Sequence, residues 1–225
     1  MPDSPRVALF IPSLYGGGVR RVMVNLARGL VQEGLPVDMV LTRAEGPYLS
    51  QLPPRVRVVD LKSRRVGLAV PALIRYLRRT RPKALLSAME HTNLAALIAK
   101  SLSGVPVRVV VSVHAMYSRE VELFPHRQNR ALIPFLVRRL YPHASTVVAV
   151  SESVAADLAA AAGLPREKIK VIYNPVVTSH LREQLQEPLN HPWFGPEEPP
   201  VILSAGRLTE EKDFLSLIQA FHLLR

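Results

Sequence analysis

Val107-Arg108-Val109-Val110-Val111-Ser112-Val113-His114 is the stretch on which the fold turns, with five valines in eight residues. β-branched side chains without polar alternation read as a strand buried on both faces, and such strands belong to parallel sheets covered by helices on either side. The run stops at His114, a polar ring at a carboxyl end. Upstream, Lys83–Ala88 reads as a strand and Asn93–Leu102 as its helix, broken at Gly104. Downstream, a helix is expected around Arg130–Leu140, bent or interrupted by Pro134. Ser145–Val150 is the next strand, followed by an N-cap at Ser151, an alanine-rich helix over Glu152–Ala162 closed by Gly163, and a short strand at Lys170–Tyr173.

Toward the N-terminus the same alternation holds. Val7–Pro12 is a strand that runs into Ser13-Leu14-Tyr15-Gly16-Gly17-Gly18. Val19, Val22, Met23, Leu26, Ala27, Leu30 and Val31 then form one apolar helical face, ended by Gly34. Val37–Leu41 and Val56–Leu61 are further strands, and a basic helix over Leu68–Arg79 is stopped by Pro82. Strand–helix alternation predicts an α/β, doubly wound, Rossmann-like parallel sheet that binds ligands at the carboxyl ends of its strands. Gly16–Gly18, Ser87–Asn93, His114 and Ser151 lie in such loops.

Six prolines between Pro175 and Pro200 mark a change of texture. The reading is an N-terminal domain over 1–175, an interdomain linker over 176–200, and the first βα unit of a second Rossmann-like domain over 201–225. In that last unit Val201–Ala205 is the expected strand, Gly206–Glu211 a polar loop, and Phe214, Leu217, Ile218 and Phe221 an apolar helix face. One βα unit cannot enclose such a face, so the rest of a second domain is expected beyond this piece.

The 225 residues are 48% hydrophobic and 21% charged, enough to bury a core, and contain no cysteine. That excludes disulfide scaffolds, zinc knuckles, iron–sulfur clusters and thiol catalysis, and it fits a reducing compartment. No apolar run reaches bilayer length and no basic leader precedes the first strand, so a cytoplasmic protein is expected. The formal charge of +11 is unevenly placed. Residues 1–150 hold 22 Lys and Arg against 8 Asp and Glu, whereas residues 151–225 hold 7 against 10. The first region should attract anions: nucleic acid, an anionic leaflet or a phosphorylated small molecule.

Three glycines between a strand and a helix let a ligand approach the backbone at a helix N-terminus, an arrangement suited to phosphate; a plain flexible turn is the alternative. The frame is not a dinucleotide fingerprint. Arg21 stands where the last glycine belongs, and Thr42-Arg43 ends the second strand where an acid belongs. His114 can contact a sugar hydroxyl or assist a leaving group, a structural or solvated ring being the alternative; Glu90 and His91 are acceptor-side candidates, plain surface polar residues being the alternative, and Ser151 is a further candidate. In Ser204-Ala205-Gly206-Arg207-Leu208-Thr209-Glu210-Glu211-Lys212-Asp213-Phe214, two cations five positions apart suit a departing diphosphate. Pairing of Lys212 with Glu210 or Glu211 is the alternative.

In order, Pro12-Ser13-Leu14-Tyr15-Gly16-Gly17-Gly18-Val19, Val111-Ser112-Val113-His114, Val148-Ala149-Val150-Ser151-Glu152-Ser153, Val171-Ile172-Tyr173-Asn174-Pro175 and Gly206-Arg207-Leu208…Lys212-Asp213-Phe214…Ile218…Ala220-Phe221 resemble glycosyltransferase family 4, whose members have the GT-B fold. The resemblance implies transfer of a sugar from a nucleoside-diphosphate donor to a glycan or lipid-linked acceptor, usually with retention. Donor phosphates would lie between two lobes, on Gly16, Gly17 and Gly18 of one and Arg207 and Lys212 of the other, with His114 beside the transferred sugar. No metal and no cofactor are implied, in keeping with the lack of any Asp-x-Asp. The family's paired glutamates have no counterpart in this sequence, so this piece alone is expected to be inactive. The resemblance leaves GT-B epimerisation or phosphorolysis as the alternative chemistry.

Basic groups beside apolar ones, Arg75, Arg78 and Arg79 near Leu73, Ile74 and Leu77, and Arg130, Arg138 and Arg139 near Leu132, Ile133, Phe135 and Leu136, suggest peripheral contact with an anionic membrane. A basic module binding nucleic acid is disfavoured: aromatics are 6%, with no stacking platform and no helix-turn-helix pattern.

Overall fold

The computed structural model describes residues 5–118 and 132–223. The chain divides into two compact units, Met1–Thr178 and Ser179–Arg225. In the first unit the described residues form a seven-stranded sheet in which every neighbouring pair is parallel. The elements are β1 (Val7–Ile11), α1 (Gly18–Gln32), β2 (Val37–Leu41), β3 (Arg57–Asp60), α2 (Val70–Thr80), β4 (Ala84–Ala88), α3 (Glu90–Ser103), β5 (Arg108–Val113), α4 (Leu132–Leu140), β6 (Thr146–Ala149), α5 (Glu152–Ala162) and β7 (Ile169–Val171). The strand order is β3-β2-β1-β4-β5-β6-β7.

Both faces of the sheet are covered, which is why its strands are apolar on both sides. Phe10, Leu85, Val109 and Val111 point into one core with Leu73, Leu77, Leu97 and Leu158 of α2, α3 and α5. Leu9, Ile11, Met39 and Leu41 point into the other, against Met23, Val24 and Ala27 of α1. Fully burying side chains of this size contributes about 1.5–3 kcal/mol each before the opposing chain entropy. The winding reverses at the middle: from β1 the chain runs through α1 to β2 on one side, whereas from β4 it runs through α3 to β5 on the other. The loops leaving β1 and β4 therefore part above adjacent strands and open a crevice at their carboxyl ends.

At the amino ends the fold carries a buried charge that the valine pattern does not reveal. Asp38 of β2 is fully buried. Arg6 Nη1 donates to its Oδ1 at 2.6 Å, Arg57 Nε to Oδ1 at 2.9 Å, and the Tyr76 hydroxyl to Oδ2 at 2.7 Å; Arg57 Nη2 also donates to Oδ2. Burial and the hydrogen bond to Asp38 push the Tyr76 hydroxyl far above its usual range, and the carboxylate raises the Arg57 guanidinium as well. A carboxylate compensated this fully is tolerated in a core, and it ties the edge strand β3 and helix α2 to the sheet.

Three sequence expectations change. Among the described residues α4 passes through Pro134 without interruption, because a proline near a helix start forfeits few ladder bonds; Arg130 lies outside the described residues. Glu90 and His91 sit in the first turn of α3, not in a loop. In the second unit, whose helices are α6 (Ser179–Gln184) and α7 (Phe214–Leu223), residues 201–205 form no strand. A strand exists only by pairing, and here Ile202 and Leu203 stay exposed with no partner strand among the described residues.

Candidate functional site

The glycine loop is held open by its surroundings. Gly17 caps α1 at φ 107°, a conformation natural to glycine. The first helical bond runs from Arg21 N to Gly17 O at 3.1 Å, so the amides of the turn before it precede the hydrogen-bond ladder. Arg20, which sequence reasoning passed over, folds back on the loop: its Nε donates to Ser13 O and its Nη1 to Gly16 O, both at 3.2 Å. The loop thus carries a guanidinium at its side as well as a helix end. Its neighbour Arg21 faces away, bonded to Gln51 Oε1 at 2.6 Å and lying 4.1 Å over the Tyr48 ring.

The base of the loop is pinned from below. Leu14 N donates to Glu45 O at 2.8 Å and Tyr48 N to Leu14 O at 3.2 Å. Between them Gly46 has φ 115°, and a Cβ there would overlap the backbone of Leu14 and Tyr15. No other residue fits.

Beside this loop, Val19 of α1, Met89, Glu90 and His91 at the start of α3, and Ser112 and His114 at the end of β5 line one cavity of about 160 Å³. Three of the predicted site residues, Glu90, His91 and His114, are therefore brought together next to the helix that the glycines begin. Ser112 Oγ lies 3.0 Å from His114 Nε2, and among the described residues the buried Nδ1 has no partner. Burial pushes the ring down to about 4, so it is neutral at pH 7. The tautomer with its proton on Nε2 donates to Ser112 and leaves only a lone pair unsatisfied, which costs less than an orphaned N–H. A neutral imidazole of this kind accepts or donates a hydrogen bond but is no general acid at pH 7.

Under the cavity lies a buried polar lattice that the sequence reading did not find. Ser87 Oγ donates to Asn93 Oδ1 at 2.7 Å, and Asn93 Nδ2 reaches both Ser112 O at 3.0 Å and Tyr141 Oη at 3.1 Å. One asparagine thereby fixes the ends of β4 and β5 and the start of α3 in relation to each other. Its only sequence signal was the presence of Ser87 and Asn93 in otherwise apolar segments. Met89, between β4 and α3, has φ 78°, the kind of strained backbone that over-determined surroundings sustain at functional sites.

Ser151 is the N-cap expected of it, its Oγ accepting from Val154 N at 3.2 Å and lying 3.0 Å from Ser153 Oγ, which engages the hydroxyl in holding α5. In the second unit, Arg207 precedes a single 3-10 turn, Glu210–Lys212, and a Cβ on Gly206 would sit 3.4 Å from the Lys212 stem. Lys212 ends that turn and Arg207 lies three residues before it, both exposed. Two of the arginines expected to face a membrane also tie helix ends together. Arg78 donates to Ser103 O at 3.1 Å and Leu102 O at 3.0 Å, and Arg138 to Ala161 O at 3.1 Å, closing the ends of α3 and α5. Among the described residues no helix is long and apolar enough to cross a membrane.

A doubly wound parallel sheet with a glycine loop at its switch point is a Rossmann-like lobe, and lobes of solved GT-B glycosyltransferases share it. A glycosyltransferase from Rickettsia africae is 16% identical over 99% of this chain and 58% of its own, with a TM-score of 0.63. Sucrose-phosphate synthase from Thermosynechococcus elongatus is 14% identical over 82% and 53%, with a TM-score of 0.60. Anabaena HepE in complex with UDP and glucose is 19% identical over 81% and 50%, with a TM-score of 0.58. The chain spans about half the length of these structures, and no curated protein matches it by sequence. The family model for glycosyltransferase family 4 matches residues 16–180, well over half of the chain. The chain belongs to glycosyltransferase family 4.

Proposed function

We propose that this chain is the acceptor-side lobe, with the start of the donor-side lobe, of a metal-independent glycosyltransferase that moves a sugar from a nucleoside diphosphate to a glycan or lipid-linked acceptor with retention. The observation that carries the reading is one cavity lined by Val19, which directly follows the glycine loop, by Glu90 and His91 after β4, and by His114 after β5. Anabaena HepE, of the same fold, binds UDP and glucose.

In this reading the amides of Gly16, Gly17 and Gly18, the N-terminal end of α1 and Arg20 take the donor diphosphate from one side. Arg207 and Lys212 bind the same diphosphate, and the charge that develops as it leaves is met by cations. His114 stands beside the transferred sugar. Glu90 and His91 orient the acceptor, and Ser151 acts indirectly by capping α5. The enzyme works at the cytoplasmic side of a membrane, touching it through Arg75, Arg79 and Arg139.

Saturation-transfer NMR of the 225-residue chain against a panel of nucleoside-diphosphate sugars tests the assignment. Contact with at least one sugar nucleotide is expected, weakened at least tenfold by Gly17→Val. Equal signals from the wild type and the variant, or none from any sugar nucleotide, overturn it.

A further inference from the structure

A second cavity, of about 910 Å³, opens at the carboxyl ends of β1, β2 and β3 and adjoins the first at His91. Its volume lies near the upper end for small-molecule sites, more than one sugar ring needs. Its two halves differ in chemistry. On the sheet side stand Arg43, Arg64 and Arg65. Glu45 engages Arg43 at 3.1 Å, but among the described residues no carboxylate lies within ion-pair distance of the Arg64 or Arg65 guanidinium. Adjacent exposed arginines without counter-charges form an anion site with forked donors. On the helix side the wall is apolar: Val70 of α2, Leu94 and Ile98 of α3, and Leu132, Ile133 and Leu136 of α4. Leu132 is half exposed, a large side chain left in water at the rim.

An anion site set against a long apolar wall fits one kind of molecule. We infer that this cavity binds an amphiphilic acceptor whose phosphate group rests on Arg64 and Arg65 and whose hydrocarbon chain lies along α3 and α4. This deepens the proposed function and rests on it for the word acceptor; the binding itself does not. The shared His91 then marks where the acceptor's reacting end meets the sugar. A polar oligosaccharide would leave the apolar wall unused, and a free anion would leave most of the volume empty.

The test is direct binding to the 225-residue chain, with farnesyl phosphate, farnesol and inorganic phosphate as probes, each below its aggregation limit. Farnesyl phosphate should bind at least tenfold more tightly than either of the others. Arg64→Gln with Arg65→Gln should lose that advantage and leave farnesol unchanged. Leu132→Glu, at an exposed position, should weaken farnesyl phosphate by at least fivefold while sparing isopentenyl phosphate. Equal affinity for farnesyl phosphate and inorganic phosphate would reduce the site to a plain anion site, and the proposal would fail. It also fails if binding needs anionic vesicles and disappears with Arg75→Gln and Arg79→Gln, because the ligand is then a membrane surface. Loss of sugar-nucleotide contact in the separate NMR experiment would leave these affinities untouched, so the two readings fail independently.

Discussion

Ser112 Oγ stands 3.0 Å from His114 Nε2, two residues apart on the same face at the end of β5. The serine holds the ring so that its other nitrogen is buried, and burial keeps the ring neutral. This has a consequence for acid stability. The folded ring titrates at about 4, below the ordinary 6.5 of the unfolded chain. The unfolded state therefore binds the extra proton first. Stability is complete above pH 6.5 and declines as the pH falls toward 4, by on the order of 2–3 kcal/mol. His114→Phe should flatten that slope, and urea melts at pH 7 and pH 4.5 for the two proteins measure it. Equal slopes would show that His114 is not buried as described.

Two glycines make a matched pair. Gly46→Ala must push aside the backbone of Leu14 and Tyr15 at a φ of 115°, and should cost about 3 kcal/mol and disturb the glycine loop that Leu14 leads into. Gly29, inside α1, has open space around its missing Cβ, so Gly29→Ala should stabilise by about 0.5–1 kcal/mol. Chemical denaturation of both variants gives the comparison.

Asn93→Ala removes at once the hydrogen bonds that join it to Ser87 Oγ, Ser112 O and the Tyr141 hydroxyl. The expected loss is about 3 kcal/mol, against about 1 kcal/mol for Tyr141→Phe. The double variant should cost less than the sum, and a double-mutant cycle reads that coupling.

Asp38→Ala leaves Arg6 and Arg57 without their buried carboxylate and should cost about 3–5 kcal/mol. Asp38 lies at the amino ends of the strands, and neither it nor its partners line the two cavities at the carboxyl ends, so farnesyl phosphate affinity should be unchanged in whatever fraction stays folded. A thermal melt beside a binding titration separates the two effects.

The strands and helices were readable because burial on both faces writes itself as valine runs and helical spacing. Val107–Val113, Ser151 as a cap, and Gly104 and Gly163 as helix ends follow from local rules alone. What escaped depends on pairing at long range. Asp38 reads as one acid in an apolar strand until Arg6, Arg57 and Tyr76 arrive from elsewhere in the chain. Arg20 reads as a solvated helix residue, since its fold-back onto Ser13 is set by the strain-free turn at Gly17. Val201–Ala205 has the composition of a strand, but composition does not supply the neighbour that makes one.

One imidazole, His91, borders both cavities, and this shapes how the protein can diversify. A party wall between two chambers cannot be moved for the benefit of one alone. Enlarging the larger cavity through His91 also reshapes the smaller one. A lineage changing what the larger cavity holds would do so more easily along the far wall, at Val70 or Leu136, where changes leave the smaller chamber as it was.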